Sequence, residues 1–141
     1  MKIKTRNRCY TYFRIVGDFC PDNISDILGL LPETVSKKGD ACRNGAVCNF
    51  SEWTFGRCDD YDVEVDNQMR KTIAPLLDKI PLLNKIRAEN DVSFYLEVVP
   101  TIYCGELTPC LAPSLDVIDF CHATRTEIDI DLYVLDSSDD D

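Results

Sequence analysis

Eight cysteines, one histidine and a run of alternating carboxylates are the residues of this chain whose types and spacing could do chemistry. Cys42-x5-Cys48-x9-Cys58 and Cys104-x5-Cys110 lack the two-to-four-residue spacing with which two thiolates grip one zinc. The sequence therefore predicts no metal site and no cofactor; if a metal is held, Cys42, Cys48 and Cys58 are its best ligands. The cysteines read instead as reduced thiols, with Cys9 and Cys121 as small core residues. His122 sits near the end of an expected helix, where a histidine gains from the helix dipole without any catalytic duty. No Gly-x-Ser-x-Gly nucleophile elbow is present, and Lys37-Lys38-Gly39 is a turn, not a phosphate loop. Asp129 and Asp131 lie two apart on one strand face, about 7 Å between Cα atoms, close enough for one to be raised if buried. With Glu127 beside them the face reads as solvated, so acid/base chemistry is the minor reading. The catalytic expectation is accordingly none: not an enzyme, with a small hydrolase as a distant third.

The elements that must position these groups follow from periodicity. Glu127 to Val134 alternates acid and aliphatic, which predicts a strand with one dry and one wet face. Cys9 to Val16 predicts the first strand, with Tyr10, Tyr12 and Arg14 opposite Cys9, Thr11, Phe13 and Ile15. The segment Cys20 to Gly29 predicts a short helix, entered at Pro21 or Asp22 and stopped by Gly29. Residues 32–50 read as loop, with a turn at Asn44-Gly45, and Glu52 to Arg57 as a strand with Trp53 and Phe55 on one face. A helix from about Asp66 to Lys79 is interrupted by Pro75, and Pro81 breaks the chain again. Val92 to Val99 predicts a strand showing Ser93, Tyr95, Glu97 and Val99 outward; an edge strand is expected near Leu111, then a helix capped by Ser114. The order predicts an α+β two-layer sandwich: one mainly antiparallel sheet of four to five strands with helices on one face. Residues 1–135 form the expected single domain, and 136–141 an acidic, disordered tail.

The 141 residues carry a net charge of −10. Residues 1–57 hold nine Lys/Arg and six Asp/Glu; residues 58–141 hold six and nineteen. Such an acidic chain does not favour nucleic acid or an anionic membrane, and no run of 18 apolar residues spans a bilayer. With no apolar stretch after the basic N-terminus, the expected location is the cytoplasm.

Four stretches carry a family resemblance: Tyr12-Phe13-Arg14-Ile15-Val16-Gly17-Asp18 followed by Ile24 to Leu30, Ser51-Glu52-Trp53, Phe94 to Val99, and Glu127-Ile128-Asp129-Ile130-Asp131-Leu132-Tyr133. In these the chain resembles the bacterial domain of unknown function 4279 family from about residue 9 to 135. The resemblance implies a small single-domain bacterial protein and brings no activity and no catalytic residues. The cysteine loop and the acidic tail lie outside the pattern.

One binding surface is expected. The outward residues Tyr10, Tyr12, Arg14, Tyr95, Glu97, Glu127, Asp129, Asp131 and Tyr133 share strand parity, so four tyrosines and four acids gather on one sheet face. Tyrosine offers large contact area at little entropic cost, and carboxylates steer a basic partner. The expected function is non-enzymatic binding of a basic protein, in the manner of an immunity or antitoxin protein. The competing reading gives the acids to Lys2, Lys4, Arg6 and Arg8, which share the parity of Tyr10. The alternative function is a zinc- or redox-responsive domain built on the Cys42–Cys58 loop.

Overall fold

The computed structural model describes residues 4–42 and 44–138. Its core is a six-stranded sheet with helices on one face, the expected α+β sandwich. The strands are β1 (Arg8–Asp18), β2 (Thr34–Ser36), β3 (Ser51–Cys58), β4 (Asp91–Tyr103), β5 (Thr126–Ile130) and β6 (Tyr133–Leu135). Their order is β2-β3-β1-β4-β5, with β6 also on β4. β1 lies at the centre, antiparallel to β3 on one side and to β4 on the other. The edge strands β5 and β6 run parallel to β4, and the Asp131 N–H donates to the Val98 carbonyl between them, so the pair makes one interrupted edge. The short strands β2 and β6 enlarge the expected four or five.

Alternation on β1 builds the core. Cys9, Thr11, Phe13 and Ile15 are buried against the helices α1 (Pro21–Leu28), α2 (Val65–Ile73), α3 (Ile80–Glu89) and α4 (Leu115–Thr124). The Phe13 ring meets Phe94 at 5.7 Å and Phe120 at 6.3 Å in tilted and edge-on geometry, which suits the ring quadrupoles. Trp53 is wholly buried, stacks on Phe55, and donates its indole N–H to Ser25 Oγ at 3.0 Å, fixing α1 to β3. Gly29 ends α1 in the left-handed conformation, φ 66°, and its N–H bonds the Ser25 carbonyl. Pro75 acts as expected of a residue without an N–H: α2 stops at Ile73, a 3-10 stretch covers Ala74–Lys79, and α3 restarts at Ile80.

A buried polar seam ties α2 to the sheet. Gln68, fully buried, donates through Nε2 to the carbonyls of Cys9 at 2.8 Å and Cys58 at 3.2 Å, while its Oε1 accepts the Asp62 N–H. Next to it Thr11 Oγ1 meets Thr72 Oγ1 at 2.8 Å, and Thr72 donates to the Gly56 carbonyl. These bonds serve a β-bulge, where pairing shifts between Thr11↔Cys58 and Phe13↔Phe55. Gly56 occupies the bulge at φ 76°, and a Cβ there would stand 2.8 Å from the Thr72 carbonyl oxygen.

Three expectations are corrected. No strand forms near Leu111; Cys110 makes only an isolated bridge to Glu64, because its N–H and carbonyl serve Val63 and Val65. Cys42 and Cys48, expected as reduced thiols, are joined in a disulfide. The Asn44-Gly45 turn and the Ala41↔Val47 bridge bring their Cα atoms to 5.6 Å, within bonding reach. The last strand is not dry on its aliphatic side: the helix layer half-buries Ile128, but Ile130, Leu132 and Val134 are exposed. Of the acidic tail, residues 139–141 fall outside the described residues, as does Lys2, while Ser137 accepts a hydrogen bond from the Arg6 guanidinium through its carbonyl.

Candidate functional site

The helix-free face of the sheet is laid out in rows set by strand register. Tyr12, Glu97 and Asp129 are cross-strand neighbours on β1, β4 and β5. Arg14, Tyr95 and Glu127 form the next row, with Thr54 of β3 beyond Arg14. On the other side lie Tyr10 and Val99, then Arg8, Thr101 and Tyr133. Every residue of the expected binding patch therefore stands on the side of the sheet opposite the helices; Asp131 follows β5 in the gap before β6.

Depth differs sharply across this face. Glu127, Asp129, Asp131 and Tyr133 are exposed at the edge, and Tyr10, Tyr12, Arg14 and Tyr95 are half-buried. Glu97, expected as a solvated acid, is only 4 % exposed, and Val99 is buried as well. Their strand is interior, so both flanks are covered, whereas β5 has one neighbour only.

Arg14 is the cation that serves this centre. Its Nε donates to Glu52 Oε2 at 2.7 Å, and its Nη1 stands 3.6 Å from Glu97 Oε1. Burial disfavours its charge, but the hydrogen bond and charge of Glu52, then the charge of Glu97, outweigh this and leave its pKa raised. The guanidinium also lies over the Tyr95 ring, 5.9 Å from its centroid. A second cation, Arg57, sits 4.0 Å over Tyr10, which stacks on Tyr12, and Arg57 pairs with Asp59.

Glu97 is the perturbed group of the face. Burial, then the hydrogen bonding and charge of Asp129, push its carboxyl up from 4.5 to about 7, and Arg14 pulls it back only in part. Its Oε1 is buried and has no hydrogen-bond partner. Burial and the charge of Glu97 also raise the Tyr12 hydroxyl. Tyr133 donates to Asp131 at 3.0 Å, which raises that phenol. The carboxyl pair that matters is thus Glu97 with Asp129 across two strands. It is not Asp129 with Asp131 along one.

The sequence profile of DUF4279, a domain of unknown function, matches residues 7–135. The chain belongs to the DUF4279 family. No curated protein and no solved structure matches it. The DUF4279 match spans β1 to β6 and so takes in the whole helix-free face.

The cysteine loop of this DUF4279 domain holds no thiolate trio. Cys42 and Cys48 are bonded to each other, Cys58 lies at the far end of β3, and no cluster of three or more metal-ligating side chains occurs among the described residues. Burial raises the Cys9 thiol to about 12 and Cys121 to about 11, so both act as core residues and not as nucleophiles. Among the described residues no helix is long and apolar enough to cross a membrane.

Sequence reasoning missed Glu52 and Arg57. Glu52 was available from alternation, since it opposes Trp53 on β3. Arg57 was not: simple alternation puts it beside Trp53 and Phe55, and only the bulge at Gly56 turns it onto the tyrosine face. With Glu33 it rims a depression of about 180 Å³ between the Tyr10 and Tyr12 rings and the β2–β3 edge.

Proposed function

We propose that this DUF4279 domain is a binding module without catalytic chemistry, and that its helix-free sheet face receives a basic protein. The carrying observation is a charge imbalance. Two cations on this face, Arg14 and Arg57, are engaged, Arg14 with Glu52 and Glu97, Arg57 with Asp59. Glu127, Asp129 and Asp131 have no ion pair with any described cation. Of the N-terminal cations expected to neutralise them, Arg6 lies over the Tyr103 ring and bonds the Ser137 carbonyl. Half-buried tyrosines beside the acids supply contact area with little rotamer freedom to lose. Masking a basic effector, as an immunity or antitoxin protein does, is the concrete form of this role.

The test is charge reversal at the exposed edge. Asp129→Lys with Asp131→Lys is expected to abolish capture of basic proteins from native lysate while leaving the circular dichroism spectrum intact. Both side chains are exposed, so the fold tolerates the change. A wild-type protein that captures nothing basic, or a double variant that captures the same partners as well, would show that this face is only a solvated sheet surface.

A further inference from the structure

We infer that Glu97 and Asp129 form an anchor site for one arginine side chain of the partner, the guanidinium seating against Glu97 Oε1, which lacks a hydrogen bond, in the row shared with Tyr12 and beside that of Tyr95. The inference rests on the proposed docking face and names the chemistry at its centre.

Two carboxylates, Glu52 and Glu97, share one guanidinium, that of Arg14, and Asp129 adds a third carboxylate beside Glu97 across β4 and β5. Arg14 is committed by its hydrogen bond to Glu52 and stays 3.6 Å from Glu97, beyond hydrogen-bond range. A buried carboxylate lacking full compensation is strongly unfavourable. In the free protein below about pH 7 a proton supplies the compensation. A second cation would supply it better, because a planar guanidinium offers parallel N–H donors to both carboxyl groups. The register places those groups as direct neighbours across β4 and β5, and Asp129 is exposed, so the site opens to solvent on the edge side. Arginine is favoured over lysine because aromatic rings flank the row and a guanidinium stacks on them, as Arg14 and Arg57 already do.

Seating a cation displaces the proton from Glu97. The groups facing Glu97 are Tyr10, Tyr12 and Arg14 of β1, Glu52 of β3, Tyr95 of its own strand, and Glu127 and Asp129 of β5, with Asp131 and Tyr133 beyond. None of these is a histidine; His122 belongs to α4 in the helix layer. With the Glu97 midpoint near 7, linkage to one proton weakens binding by roughly thirtyfold from pH 8 to pH 5.5.

The probe is an acetylated, amidated seven-residue peptide alternating arginine with valine, titrated calorimetrically into the full chain at both pH values. Its control is the same peptide with citrulline for arginine, equal in shape but uncharged. The arginine peptide should bind at pH 8, weaken about thirtyfold at pH 5.5, and release close to one proton near pH 6, read from buffers of different ionisation enthalpy. Glu97→Gln should flatten the pH dependence; the proton release needs no variant and stands if that protein folds poorly. Absence of binding at pH 8, equal binding at both pH values, or equal binding of the citrulline peptide overturns the anchor. If a basic partner is lost on Asp129→Lys with Asp131→Lys yet binds Glu97→Gln with the wild-type pH profile, the anchor falls and the docking face stands. If the charge reversal changes nothing, both fall.

Discussion

Glu97→Gln stabilises the protein at pH 8 by about 3 kcal/mol and changes little at pH 4.5. In the unfolded chain the glutamate ionises at its ordinary pKa of 4.5; in the fold it holds its proton up to about 7. Between those two values the native state binds the extra proton, so wild-type stability falls as pH rises through that window, and the loss is complete above 7. Glutamine imitates the protonated side chain and removes this slope. Arg14 remains bonded to Glu52, so the substitution strands no cation. Urea denaturation of both proteins at several pH values gives the difference directly, and a variant less stable than wild type at pH 8 contradicts the account. Such a group, unfavourable to the fold above neutrality, marks a place where stability has yielded to another demand.

Gln68→Leu has an effect of similar size and opposite sign, about 3 kcal/mol of destabilisation at any pH. Leucine fills nearly the same space in a site with no exposure, so packing changes little. What it removes is the amide that serves the carbonyls of Cys9 and Cys58 and accepts from the Asp62 N–H. Each group left buried without a partner costs about 1–3 kcal/mol. The loss falls at the bulge, where β1 and β3 change register and Gly56 passes under Thr72. Equilibrium unfolding in urea checks this, and a change below about 0.5 kcal/mol would mean that water or a relaxed backbone replaces the amide. The same substitution loosens the path that places Arg57 over Tyr10.

Much of this architecture was legible from alternation, and the failures share a cause. Period-two patterning identified which side chains of β1, β4 and β5 lie on the face without helices. It carries no information on depth. Glu97 and Glu127 have the same parity, but one stands on an interior strand and the other on an edge, and only the strand order makes one buried and the other exposed. The aliphatic side of the last run failed for the same reason. Ile128 lies under the helix layer, while Ile130, Leu132 and Val134, equally apolar, extend past its cover. Helix punctuation was read well where it is chemical, at Gly29 and at Pro75. Pairings across the chain had no sequence signal: the Glu97–Asp129 neighbourhood, the bulge that turns Arg57, and the Cys42–Cys48 bond each depend on contacts between distant or looped residues. A one-residue register change would have moved the first two to another face.

A carbon-13 NMR titration of the Glu97 side-chain carboxyl shows whether Arg14, shared with Glu52, leaves this interior acid of the helix-free face only partly compensated. A midpoint near 7 is expected. A midpoint near 4.5 would mean that Arg14 or solvent already satisfies the carboxylate, and the anchor would have no cause.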